Sequence, residues 1–176
     1  MGCHHALQSV EIWDHWWGGA KVFYEFAGRN VDELEAMARQ QKCQFSAYVS
    51  EVVRGQLVDF IGEEFRHGVP TSASRVLPNN WHVIEMTEAE RARREIPLDY
   101  ADNEGYTPER RTQWNAERER YMTEEFARKI GTAKSALIIC GSEHVRGIAD
   151  LVATAGHVVT GCDDVTTKPW FQPPPL

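Results

Sequence analysis

From Val31 to Gly55, apolar residues recur at intervals of three and four: Leu34, Met37, Ala38, Phe45, Tyr48, Val49, Val52 and Val53. That period predicts an amphipathic helix closed by Gly55. The run Leu57-Val58-Asp59-Phe60-Ile61, ending at Gly62, has the length of a buried strand. A short helix is expected after Pro70-Thr71 through Leu77, and Pro78-Asn79-Asn80 then turns the chain into a second strand, Trp81 to Glu85. Thr87-Glu88-Ala89-Glu90 fits a capping box. The acidic, aperiodic stretch Pro97 to Tyr106 predicts a loop long enough to act as a lid.

Thr107-Pro108 supplies an N-cap and a first-turn proline for the longest helix, which should cover residues 108–130, about six turns, and end at Gly131. On it Trp114, Arg118, Met122, Phe126 and Ile130 advance by four, about 40° apart around the axis, so Arg118 lies inside an apolar stripe. An unpaired buried guanidinium is strongly unfavourable, and a carboxylate such as Glu64 suits its fork. Ser135 to Cys140 is the clearest strand. Gly141-Ser142-Glu143-His144, a helix to about Ala155, and a last strand His157 to Cys162 follow. Strands separated by helices require crossovers, so the expected fold class is α/β: a small, mostly parallel sheet flanked by helices. Residues 1–167 form one domain, and the proline-rich residues 168–176 form an extended tail able to pack on a neighbour through Trp170 and Phe171.

With 176 residues, 42% of them apolar, the chain can build one core without staples. A net charge of −7 with no basic tract disfavours nucleic acid and anionic membranes as partners. No apolar run has the length of a membrane span and no leader-like start is seen, which points to a cytoplasmic protein. The four cysteines lie too far apart for a zinc knuckle or a disulfide scaffold.

In an open parallel sheet, ligands bind beyond the carboxyl ends of the strands. That rule selects Gly62-Glu63-Glu64-Phe65-Arg66-His67-Gly68 and Gly141-Ser142-Glu143-His144. If the two strands are neighbours, about 4.8 Å apart, their loops meet around one small substrate or one metal ion. Gly2-Cys3-His4-His5 repeats the Gly-x-x-His spacing without a preceding strand, as though the chain started just after one. Either upstream residues are lacking or the N-terminus wraps differently; a sheet short of a strand invites completion by a second copy, a homo-oligomer. The catalytic candidates are Glu64, His144, Arg118 and His67, and His5, Glu64 and His144 are the candidate ligands of a divalent metal such as Zn, Mn or Fe. Glu63 and Glu143 are secondary, facing either solvent or the site. Trp13, Trp16 and Trp17 fit a core, a pocket floor or a subunit contact. Cys140 is expected to be buried and inert, and His82 and His157 to be structural.

The order of these motifs resembles the superfamily that includes TraB, the Tiki proteins, ChaN and the erythromycin esterases, over roughly residues 57 to 162. Glu117-Arg118-Glu119-Arg120-Tyr121-Met122 is similar to the family's Arg-Asn-x-x-Met helix, with Glu119 in place of Asn, and Gly141-Ser142-Glu143-His144 is similar to its Gly-x-x-His turn. Gly62-Glu63-Glu64 with His67 is similar to Gly-Glu-x-His, although His67 comes two positions late, and His5 falls in the histidine position of the first strand-end motif. The family's chemistries include metal-dependent peptide cleavage, metal-independent ester hydrolysis and haem-iron association, so the resemblance implies a site and not a substrate. Two expectations follow. One is a small hydrolase acting on a small molecule or peptide, with or without a divalent metal; the other is a non-catalytic binding module of the same fold.

Overall fold

The computed structural model describes residues 1–98, 100 and 105–175; the expected lid over Pro97–Tyr106 lies in part outside them. The strands are β1 (Gly2–Cys3), β2 (Phe60–Glu63), β3 (Trp81–Val83) and β4 (Ala136–Gly141). They form one parallel sheet in the order β1-β4-β2-β3. The helices are α1 (His15–Phe26), α2 (Val31–Gly55), α3 (Ser72–Val76), α4 (Glu88–Arg93), α5 (Pro108–Lys129) and α6 (Val145–Thr154). The fold is α/β, with helices on both faces of the sheet.

The alternation of side chains along the strands sorts the core. On one face Ile61, Leu137 and Ile139 pack against Phe45, Val49 and Val53 of α2. On the other, Phe60, Ile84 and Cys140 pack against Met122 and Phe126 of α5 and Ile148 and Val152 of α6. A third cluster joins Trp17, Ala20 and Tyr24 of α1 to Leu34 and Ala38 of α2. The α1 helix is not among the expected elements, because Gly18-Gly19 interrupts its pattern. Asp14 caps it, accepting from Trp16 and Trp17 N–H at 3.1 Å each.

Several expectations are corrected. The first internal strand begins at Phe60, because Leu57 adopts φ 51° and turns the chain out of α2 before extended pairing starts. That shift carries Gly62 and Glu63 into the strand. Gly2–Cys3 is itself a strand on β4, so His4 and His5 do follow a strand end. Residues His157–Cys162 form no ladder, since both sides of β4 are occupied by β1 and β2; only Asp164 returns, bridging to Gly2. Asp163 and Asp164 thereby cover the outer side of β1 within the same chain. Trp170 and Phe171 pack on the chain's own α2-side core, where they remain partly buried. Thr87 caps α4 through Glu90 N–H, but the Glu90 carboxylate turns to Arg93 and Arg94. Among the described residues, no helix is long and apolar enough to cross a membrane.

The segment between β1 and α1 is fixed from α2. Lys42, 5% exposed, donates through Nζ to the carbonyls of Ala6 (2.7 Å) and Ser9 (2.9 Å) and to the Asp14 carboxylate. Burial pushes its ammonium below the ordinary lysine range, against the pull of Asp14. Removing one partner of a buried pair strands the other, so Lys42→Met is expected to cost about 3–5 kcal/mol in urea denaturation. The double variant Lys42→Met with Asp14→Leu should recover part of that loss, because both buried charges are then gone.

Candidate functional site

Side chains from the ends of β1, β2 and β4 meet at one rim of the sheet. Ile139 lies opposite Glu63 in the register, and the N–H of Glu64 donates to the Ile139 carbonyl at 2.8 Å. Successive residues of an extended chain face opposite ways, so the two glutamates point to opposite sides of the sheet. Glu63 accepts from Gln8 Nε2 (2.9 Å), Thr71 Oγ1 (2.7 Å) and Trp81 Nε1 (2.5 Å) on the α2–α3 side. Burial still pushes its carboxyl above the ordinary range. Glu64 faces α5 and meets Arg118.

The Glu64 carboxylate is the centre of the cluster. Oε1 pairs with Arg118 Nη2 and lies 3.5 Å from His5 Nε2 and 3.7 Å from His144 Nε2, while Oε2 accepts from the N–H of Gly141 at 2.7 Å. A Cβ at Gly141 would stand 3.2 Å from His5 Nε2, tighter than an ordinary contact, and 3.6 Å from Glu64 Oε2, so a side chain there would press on the His5 ring. Glu64 and His144 are each 1% exposed, whereas the side chain of His5 is 29% exposed. Burial would raise the Glu64 carboxyl, but the positive charges of His5 and Arg118 outweigh it and hold the group well below the usual carboxylate range. For His5, burial lowers and Glu64 raises; the carboxylate wins and the imidazole is pushed up.

Arg118 does more than pair with Glu64. Its Nη2 also meets the Glu85 carboxylate, which Arg91 shares at 3.0 Å, and its Nη1 donates to His144 Nε2 at 3.2 Å and to the Tyr100 hydroxyl at 3.4 Å. A guanidinium only donates, so His144 accepts at Nε2 and carries its proton on Nδ1, where it donates to Glu119 Oε1 at 2.9 Å. Glu119 reaches the ring past a bare α6 position: a Cβ at Gly147 would overlap its carboxylate.

Four of the expected residues, His5, Glu64, Arg118 and His144, are therefore brought together. His67 is exposed and its ring bonds the Glu85 carbonyl at 3.1 Å, outside the cluster. Glu143 is at the surface with Arg111 and Asn115. Cys140 is buried, and burial pushes its thiol up to about 12, so it holds no thiolate at neutral pH. Trp17 is core, while Trp16 stacks on His5 with ring centroids 5.7 Å apart. His82 stacks on Phe60, and His157 is exposed, with its ring edge-on to Phe126. Glu85, Glu119, Tyr100 and Gln8 belong to the site without having been expected there. Glu85 follows β3 and obeys the same strand-end rule that selects Glu64; nothing local in the sequence marks Gln8.

Among the described residues, no three His, Cys, Asp or Glu side chains are disposed to hold a metal ion. The positive charge on the ligand atoms is supplied by the protein. Arg118 occupies Glu64 Oε1 and His144 Nε2, the two atoms a metal would share, so the residues present do not fit a divalent cation.

Arg118→Met leaves Glu64 buried without its guanidinium and Glu85 with Arg91 alone, and is expected to lower stability by about 3–5 kcal/mol in chemical denaturation. Because the folded carboxyl of Glu64 lies below its ordinary 4.5, its contribution is present above that pH and is lost as pH falls toward the folded value. In Glu64→Gln, stability measured against pH should therefore flatten on the acid side.

No protein-family profile matches the chain, and neither a curated protein nor a solved structure matches it, so the expected superfamily rests on the strand-end motifs alone.

Proposed function

We propose that the protein is a small cytoplasmic hydrolase whose acid–base group is His5, acting on a small-molecule or peptide carbonyl without a metal. The observation that carries this reading is the buried, ionised Glu64 carboxylate lying against His5, whose side chain, 29% exposed, is more open to solvent than those of Glu64, Arg118 and His144. In the reaction, His5 takes a proton from water as the water oxygen attacks the carbonyl carbon. The imidazolium is stabilised by Glu64 and then gives the proton to the leaving group as its bond breaks. Arg118 and His144 keep the carboxylate ionised and aimed, and they act as positioning residues. The superfamily resemblance supports the same chemistry, since its esterase members hydrolyse without metal.

A non-catalytic module binding a small ligand or a protein partner is the second reading. One observation favours it: Glu64 and His144 are 1% exposed and bonded within the protein, so neither is open to a substrate.

A panel of carboxylic esters, lactones and peptides tests both. The first reading expects turnover that survives exhaustive chelation and falls roughly 10²- to 10⁴-fold in His5→Ala, the usual range for loss of an acid–base group. Absence of turnover across the panel, or activity restored only by added metal, overturns it. Ligand binding measured by calorimetry with no turnover would support the second.

A further inference from the structure

We infer that Gln8 is a positioning residue of this site: it fixes the His5 proton on Nδ1 and leaves Nε2, the nitrogen facing Glu64, as the atom that accepts a proton. Its catalytic consequence rests on the hydrolase reading above; the protonation pattern itself is a property of the native protein.

Gln8 is fully buried and follows the 3-10 turn His5–Leu7. Its amide nitrogen donates to Glu63 Oε1 at 2.9 Å and to the backbone carbonyl of Glu64 at 3.0 Å. A backbone carbonyl can only accept, whatever the charge on Glu63, so the amide cannot be turned around. The atom facing His5 Nδ1 at 2.5 Å is therefore the amide oxygen. An amide oxygen also only accepts, so Nδ1 must carry the hydrogen; a bare Nδ1 would set two lone pairs against each other at that distance. On the other side of the ring, Nε2 stands 3.5 Å from Glu64 Oε1, beyond the length of a good hydrogen bond. The short contact to Gln8 thus decides between the two nitrogens.

The Glu63 carboxylate behind Gln8 is itself held by hydrogen bonds. Glu63 is held through Oε2 by Thr71 at 2.7 Å and Trp81 at 2.5 Å, which ties Gln8 to α3 and β3. Lys42 grips the carbonyls of Ala6 and Ser9 on either side of it. Trp16 stacks on the imidazole and restricts rotation of the ring. The two glutamates thereby have separate duties on the two faces of the sheet. Glu64 stabilises the charged form of His5, and Glu63, acting through Gln8, sets which nitrogen is free to react. A triad histidine held in the wrong tautomer loses roughly 10⁴-fold in turnover, so this selection has catalytic weight.

The test is a long-range ¹H–¹⁵N spectrum of the uniformly labelled native protein at a pH where the ring is neutral, with His5 assigned by its loss in His5→Ala. The expected result is a pyrrole-type Nδ1 and a pyridine-type Nε2 for His5, shifting toward the Nε2–H form in Gln8→Met. A native His5 protonated on Nε2 overturns the inference without any variant, and an unchanged pattern in a folded Gln8→Met overturns it as well. Where the ester panel gives turnover, Gln8→Met should lower kcat roughly 10²-fold with KM nearly unchanged. The failures are distinct: a native enzyme without turnover overturns the hydrolase reading, and a native Nε2–H ring overturns the role of Gln8.

Discussion

A carboxylate with almost no exposure at the end of a parallel strand loses its hydration, a penalty of several kcal/mol unless a charge of opposite sign is fixed beside it. In this protein Glu64 is that carboxylate and Arg118 that charge, and much of the architecture follows from keeping them together. The guanidinium can reach the strand end only if α5 lies close along the sheet, where Met122 and Phe126 continue the apolar stripe. Glu85 at the end of β3 shares the same Nη2, so one side chain ties α5 to two strand ends. The remaining nitrogen orients His144, and Glu119 fixes that ring from behind.

The pleat of β2 gives this arrangement its second level. Adjacent glutamates on one extended segment must face opposite sides, so each is buried in a different environment. Glu64, among His5, Arg118 and His144, is stabilised as an anion; Glu63, with only neutral donors within hydrogen-bonding reach, is pushed the other way by burial. Gln8 spans the two, bonding the Glu63 side chain, the Glu64 backbone and the His5 ring. Close approach at the rim also needs bare backbone. A side chain at Gly141 would press on His5, and one at Gly147 would displace Glu119.

Much of the scaffold was legible because it depends on local periodicity. The α2 helix runs over Val31–Gly55 as its apolar spacing predicts, and α5 begins at the expected cap, Thr107, with Pro108 in its first turn. The need of Arg118 for a carboxylate was also readable, since a charge inside an apolar stripe has few alternatives. The failures have physical causes of their own. Gly18-Gly19 hides α1, whose stability comes from Trp17, Ala20 and Tyr24 packing on α2. A strand over His157–Cys162 fits the composition, but the places on both sides of β4 are taken by β1 and β2.

By itself the sequence determined the alternation of helices and strands, the parallel sheet this requires, and the strand-end positions where Glu64 and His144 could act. Hydrophobic period, caps and strand length are properties of contiguous residues, and they survive without knowledge of the partner. Only the tertiary structure decided that β2 and β4 are neighbours, that His5 joins them from a two-residue strand, and that His67 does not. It alone placed Glu85, Gln8 and Glu119 around the cluster and set Arg118 on the atoms a metal would need. Those decisions belong to strand order and to the pleat, which depend on contacts between residues far apart in the chain, and no local pattern encodes them.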